Sequence, residues 1–535
     1  MQSLFIEYVA LIMIILVLVM IANWLRIAYP IVLVLGGLAL SFLFPFAHVA
    51  IDPNLVFFIF LPPLLYEAAW QTSWKEFWKW RRVIMSFAFP IVIITSCVVA
   101  FASNAFIPGF TLALGFLLGG IISPPDAISA VTIMRKVKIP KTLVSIVEGE
   151  SLLNDASSLI VFRFALAAVI TGQFHFKDAA LNFFVVIIMG TLIGLLVAGV
   201  FYCIHRYLPT TPAIDIVLTL VTPYCMYYFA EYFHFSGVLA VVCGGLFLSG
   251  RRQSMLSYRS RLEGVNFWSS LVFVMNGLIF LLIGLQLPFI TSQLGDFGVE
   301  RAIWYGLGIS LLLIITRFAC TFGASIFTRF MSRFITVADP HPGFKGPIIL
   351  GWAGMRGVVS LAAALSIPLY IGEQPFPYRN LILFITFIVI LVTLVLQGLT
   401  LPWVIRKVNV KDKFALMTEG EQEKSIQKKI VQDCMKLLLE KYDGVRLQNE
   451  RIRNLFEKLS IDLSIFERQS NGNDKEHTRE TYQRIYLELL EQQRKTLIEL
   501  NRRAEFNEEL VRKYLSLIDL EEYKMREKYH QEQIT

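Results

Sequence analysis

Only six cysteines occur in the 535 residues: Cys97, Cys203, Cys225, Cys243, Cys320 and Cys434. They lie far apart, five of them in apolar runs, whereas a disulfide framework or a zinc cage needs close, paired spacing. The seven histidines are scattered and do not cluster. No phosphate loop, His-Glu-x-x-His or Ser/His/Asp arrangement presents itself. The Gly-x-Gly-Asp pair of an intramembrane aspartyl protease is missing, and no helix carries arginine at every third position as a voltage sensor does. No base-reading motif accompanies the net charge of +8, so nucleic acid is not an expected partner. These absences leave no enzyme chemistry and no cofactor to expect. Charge itself is sparse, with Asp, Glu, Lys and Arg at 17% against about 25% in soluble domains.

What the chain has instead is apolar length. Hydrophobic residues make up 56% of it and the mean hydropathy is +0.60, the composition of a membrane protein. Thirteen runs approach the roughly 20 residues that a spanning helix needs. They cover 4–24, 28–46, 54–71, 83–105, 110–134, 141–171, 179–205, 212–232, 236–250, 266–288, 301–325, 346–371 and 380–405. The first continues to Trp24 without a small-residue cleavage site and reads as a spanning helix rather than a signal peptide. Alternate loops are basic: "WKEFWKWRR" (74–82), "RKVKIPK" (135–141), "HR" (205–206), "RRQSMLSYRSR" (251–261) and "TRFMSRF" (328–334). The opposite set, "AHVAIDPN" (47–54), "TGQFHFKD" (171–178), "SQLGDFGVE" (292–300) and "GEQPFPYR" (372–379), is nearly free of Lys and Arg. Basic loops stay in the cytoplasm, so the expected N-terminus is outside, the C-terminus inside, and the number of crossings odd. The loops and the compact N-terminus suit a bacterial inner membrane, with a plasma membrane as the alternative.

The expected membrane domain is 1–408. From Asn409 onward the chain holds 24 Lys/Arg and 25 Asp/Glu, a net charge of −1 against +9 for the first 408 residues. Apolar residues three or four apart in 430–459 and 482–523 predict amphipathic cytosolic helices in 409–535, with a turn in "RQSNGNDKE" (468–476). This tail reads either as a packed accessory domain or as a regulatory one.

Several ionisable residues stand where lipid should be, each costing at least ~2.5–3.5 kcal/mol on insertion scales. In "GGIISPPDAI" (119–128), Pro124 and Pro125 break the helix just before Asp126. A broken helix presents an N-terminal dipole and bare carbonyls that suit an ion site, though a simple kink would leave the same trace. In "EGESLLNDAS" (148–157), Glu148 and Asp155 share a helix face, about 10 Å apart along the axis. Glu150 lies on the face of Asn154. Asp155 is the leading functional candidate, while a vestibule position accounts for Glu148 equally well. Arg356, in the Gly-rich "GWAGMRGVVS" (351–360), is the expected partner for a buried carboxylate. Arg163 and Arg317, also within helices, read first as structural locks.

Those stretches carry a family resemblance. "EGESLLNDAS" resembles the signature of the sodium/proton exchangers, a branch of the monovalent cation:proton antiporter superfamily. Further matches are "LPPLLYEAAW" (61–70), "SPPDAISA" (123–130), "FSGVLAVVCGGL" (235–246), "NGLIFLLIGLQL" (276–287) and "GMRGVVSLAAALSIP" (354–368). The match spans essentially 1–408 and leaves the tail out. It implies an all-α polytopic fold with inverted repeats crossing at two broken helices, and a homodimer in the lipid bilayer. By motif, Asp155 would be the shared cation and proton carboxylate, with Asn154 beside it. Asp126 and Ser151 would complete a Na+ site, and Glu150 would pair with Arg356. Many relatives have a threonine where Pro125 stands here, so a ligand from that position is in question. The Asn-Asp pair implies electroneutral exchange of one cation for one proton.

The mechanism expected from this is competition. A cation and a proton both neutralise Asp155, and only a neutralised site crosses the apolar barrier, since a bare buried charge costs several kcal/mol. A K+/H+ antiporter of the same fold is the alternative. An ion channel, or a membrane receptor that signals through the helical tail, are readings from other classes.

Overall fold

The computed structural model describes residues 2–43, 56–137, 139–172, 176–292, 294, 298–334, 337, 339, 343–410, 419–470, 476–501 and 508–530. The loop 47–54 and residues 471–475 of the expected tail turn lie outside them. The chain divides into two compact units, Met1–Asp412 and Lys413–Thr535.

Among the described residues of the first unit, helices joined by short turns and loops make up the fold, with one small two-stranded hairpin. Its helices are α1 (Gln2–Leu25), α2 (Tyr29–Leu43), α3 (Leu61–Gln71), α4 (Trp74–Phe106), α5 (Leu112–Ile122) and α6 (Ala127–Met134). Next come α7 (Lys141–Thr171), α8 (Phe176–Tyr207), α9 (Pro212–Tyr232), α10 (Gly237–Ser249), the short α11 (Arg252–Met255) and α12 (Tyr258–Leu285). The set closes with α13 (Leu287–Ser292), α14 (Val299–Met331), α15 (Lys345–Trp352), α16 (Val358–Leu365) and α17 (Arg379–Val408). Strands β1 (Tyr370–Ile371) and β2 (Gln374–Pro375) pair antiparallel inside the expected loop 372–379 and its approach, turning through Gly372 at φ +61°. Among the described residues, eight helical segments are long and apolar enough to cross a membrane, and Val9–Leu25 of α1, with α2 and α10, are shorter apolar stretches.

The helices pack as two bundles. In one, α2 lies on α12, α8 on α10, and α3 and α9 join them with α1. In the other, α5 is wedged between α4 and α7, while α14, α16 and α17 close the far side. The wedge needs glycine: a Cβ on Gly119 would stand 2.7 Å from the Ser96 carbonyl, and one on Gly120 would stand 2.8 Å from the Phe162 nitrogen. Small residues let backbones approach where lipid supplies no hydrophobic drive. Helix α4 contains a π turn at Phe87–Ile91 with Pro90 inside. The Ala88 carbonyl there accepts the Ser157 hydroxyl at 2.5 Å, which ties α4 to α7. Across the seam between bundles, α7 faces α3 and α10.

The second unit holds α18 (Glu419–Gln448), α19 (Glu450–Ser470), α20 (Glu476–Asn501) and α21 (Glu508–His530). Two expected amphipathic stretches therefore become four helices. The first divides at Asn449, whose side chain accepts the Arg451 N–H at 3.0 Å and starts a new helix. Between α20 and α21, Arg494 binds Asp519 at 2.8 Å and Glu522 at 2.7 Å. Hydrogen bonds from Arg494, and then from Arg526, hold the Glu522 carboxyl below its ordinary range.

Candidate functional site

Two helices of the second bundle are broken at the same depth. Helices α5 and α6 are separated by Ser123–Asp126, and α15 and α16 by Ala353–Gly357. The breaks touch, with the Asp126 N–H donating to the Met355 carbonyl at 2.6 Å. Each break is capped by a side chain of fitting charge. The Asp126 carboxylate accepts the Ile128 N–H at 3.0 Å, the Ser129 N–H at 3.4 Å and the Ser129 hydroxyl at 2.6 Å, so it serves as the N-cap of α6. Arg356, 1% exposed, donates from Nε to the Ile122 carbonyl at 3.0 Å and from Nη1 to the Gly354 carbonyl. Its own N–H reaches the Thr393 hydroxyl at 3.1 Å. A guanidinium at the C-terminal carbonyls of α5 opposes the negative end of that half-helix.

Ser151 joins α7 to the first break. Its hydroxyl donates to the Pro125 carbonyl at 3.4 Å and accepts the Ala127 N–H at 3.3 Å. Where a threonine side chain is wanting, the Pro125 carbonyl thus still faces the Ser151 oxygen.

The expected Glu150–Arg356 pair does not form. Both Glu150 oxygens are taken by Arg317 of α14, through Nη1 on Oε1 and through Nη2 on Oε2 at 2.8 Å. The physical reason is reach: Arg356 is spent on backbone carbonyls at the crossing, while Arg317 lies under Gly354 with the Phe87 ring 5.9 Å from its guanidinium. Arg317, expected as a structural lock, is that carboxylate's bidentate partner. Arg163 pairs with Glu231 of α9, its Nη2 lying 2.7 and 2.6 Å from the two oxygens. Glu148 pairs with Arg135 at 2.9 Å.

A cavity of about 330 Å³ runs along the seam to Asp155. It is lined by Glu148, Ser151, Leu152 and Asp155 of α7, by both breaks, and by Glu67, Ser269 and Asn276 from the other bundle. Thr72 and Arg135, beside two basic loops, stand at its opposite end. Asn154 is not in the lining; it is fully buried, and neither amide atom has a partner among the described residues. Asp155 differs from the other buried carboxylates. Glu150 is held by Arg317, and Asp215 by His205 at 2.8 Å and Ser260 at 2.6 Å. Asp155 is 6% exposed, and no described side chain or backbone N–H donates to its carboxylate.

The site contains one residue that the motif reading passed over. Glu67 of α3 is the carboxylate that the other bundle brings to the cavity, with Gln71 donating to it one turn on. The signal was present, because Glu67 is an ionisable residue inside an expected spanning run.

Crossed, broken helices beside an uncommitted carboxylate, in a polytopic helical membrane protein, define a secondary ion transporter. The family model for the transmembrane sodium/hydrogen exchangers matches residues 10–407, and the chain belongs to that family. It is 29% identical over 506 residues to an uncharacterized Na+/H+ exchanger of Mycobacterium tuberculosis, covering 94% of this chain and 92% of that one. A sodium, potassium, lithium and rubidium/H+ antiporter of Bacillus pumilus is 32% identical over 407 residues, covering 74% of this chain and 59% of that protein. The fold is similar to the sodium proton antiporter MjNhaP1 from Methanocaldococcus jannaschii, with a TM-score of 0.59 at 20% identity over 77% of this chain and 100% of that one. Members of this family are transporters rather than enzymes, and they carry transported ions in place of a cofactor.

The crossing supplies a first test. A Cβ on Gly357 would stand 2.5 Å from Asp126 Oδ2 and 2.9 Å from its Cβ. Gly357→Ala is therefore expected to push the two breaks apart and cut exchange roughly tenfold to a hundredfold. Initial rates in proteoliposomes check this, with protein yield and elution volume unchanged.

Proposed function

We propose that this protein exchanges Na+ or Li+ for H+, one for one, with both ions competing for Asp155. The observation that carries this is the Asp155 carboxylate, buried at the end of an aqueous-sized cavity with no donor among the described residues. A hard monovalent cation there would find oxygen from Asp155, Ser151 and the Pro125 carbonyl, with waters completing its shell. The Asp126 oxygens border the same space, although they already cap α6. Asn154 adds no charge beside Asp155, which fits a single exchangeable charge and hence electroneutral turnover.

On this reading the bundle carrying α7 moves against the other as a body, with thirteen crossings, the N-terminus outside and the C-terminus in the cytoplasm. The cavity then opens inward, since its far end meets the basic loops. The less mobile bundle would form a homodimer in the bacterial inner membrane, and 409–535 a separate cytosolic domain. Potassium is the second candidate cargo, supported by the name of the Bacillus pumilus relative.

Competition gives the test. In proteoliposomes holding one cation at a time, lowering the pH should raise the apparent KM for that cation while saturating cation restores the rate. The cation with the lowest KM is the cargo, and exchange should persist without a membrane potential. A maximal rate that falls with pH at saturating cation would place the proton elsewhere than on Asp155.

A further inference from the structure

The seam holds a second cavity of about 190 Å³, reached by following α7 past Asp155. Its lining comes from both bundles: Leu159, Phe162 and Arg163 on α7, and Tyr227, Glu231 and Val238 opposite. From Asp155 to Leu159 is four residues, about 6 Å of helix. The two cavities therefore approach the same carboxylate from opposite ends of α7, to within one turn. At the level of the second cavity the Arg163 guanidinium spans both oxygens of Glu231.

We infer that this second cavity is the closed outer half of the transport pathway and that Arg163 and Glu231 form its gate. This rests on the antiport reading above. Three observations favour a gate over a brace. The pairs Glu148–Arg135, Glu150–Arg317 and His205–Asp215 each lie within one bundle, whereas Arg163–Glu231 crosses the seam. Glu231 is fixed to its own bundle, since it also accepts the Gly237 N–H at 3.1 Å beneath the Ser236 cap of α10. A Cβ on Gly237 would stand 2.9 Å from the same oxygen, so that corner has no slack. Arg163 instead rides on α7 with Asp155, and any displacement of that helix along the seam parts the pair. The pair also borders the cavity and is partly exposed, at 45% and 21%, unlike the buried Glu150–Arg317 pair.

The test uses the full chain with its six cysteines replaced, reconstituted in one orientation. Ser366→Cys reports the outer cavity and Ser269→Cys the inner one, each read as the labelling rate by a membrane-impermeant maleimide from its own side. Arg163→Gln should raise labelling at 366 roughly threefold to tenfold and lower it at 269. Glu231→Gln should do the same while its amide oxygen still accepts the Gly237 N–H, which keeps the α9–α10 corner folded. The exchanged pair, Arg163→Glu with Glu231→Arg, should bring both rates back towards those of the parent. Unchanged labelling at both reporters in both single variants, with exchange intact, would make the pair a static brace and overturn the gate. A parent without cation-driven proton flux would overturn the antiport reading itself, on a separate readout from the same vesicles.

Discussion

Asp155→Asn should reduce cation-driven proton movement in proteoliposomes to the level of empty vesicles, and should do so without weakening the fold. The two halves of this outcome have separate physical causes. Asparagine keeps the volume and planar shape of the side chain, so the packing of α7 against the two breaks persists. It cannot carry a proton or neutralise a cation, so the step in which the site crosses the barrier loses its driver. Stability moves the other way from most buried substitutions. A buried carboxylate without donors among the described residues is a burden on the folded state, and removing its charge relieves the desolvation penalty. The midpoint of thermal unfolding in detergent is therefore expected to stay equal or to rise by a few degrees. A loss of exchange accompanied by a large fall in that midpoint would mean that Asp155 holds the structure together and is not the carrier.

The parts of the site that could be read from sequence are those fixed by position along one chain segment. Asp155 and Ser151, four apart, share a face of α7 by helical period alone, and both line the cavity. Asn154, about 100° around the same helix, falls outside it. The two breaks follow from Pro124 and Pro125 in one case and from three glycines in the other. Pairing between helices was not legible. Arg163, Arg317 and Arg356 all lie inside apolar runs, and sequence gives their depth but not the neighbour each one faces. The pairing of Arg356 with Glu150 rested on the family resemblance alone, and the glycine beside it, Gly357, serves the crossing, where it packs against Asp126. Glu231 lies one residue from the end of the run 212–232, and nothing in the sequence says that it faces Arg163.

Glu150→Gln should have the opposite effect on stability from Asp155→Asn, although the two residues lie five apart on one helix. Glu150 is 1% exposed and gives both oxygens to Arg317, itself 3% exposed. Removing the charge leaves Arg317 as an uncompensated cation in the bundle, a loss of about 3–5 kcal/mol. Low yield and a sharply lowered unfolding midpoint are the expected result, and Arg317→Met should match it for the mirror reason. Replacing both partners, Glu150→Leu with Arg317→Met, removes the two charges together and should recover most of the stability, since a buried pair contributes little beyond an apolar equivalent. A double-mutant cycle then separates the two candidate partners. Coupling between 150 and 317 should fall at about 0.5–3 kcal/mol, the range of residues in one salt-bridge network. Coupling between 150 and 356 should be smaller, because Arg356 donates to the Ile122 and Gly354 carbonyls and touches Glu150 only through the field. If 356 coupled to 150 more strongly than 317 does, the arginine at the crossing would be the true counter-ion, and the cap it provides to α5 would be incidental.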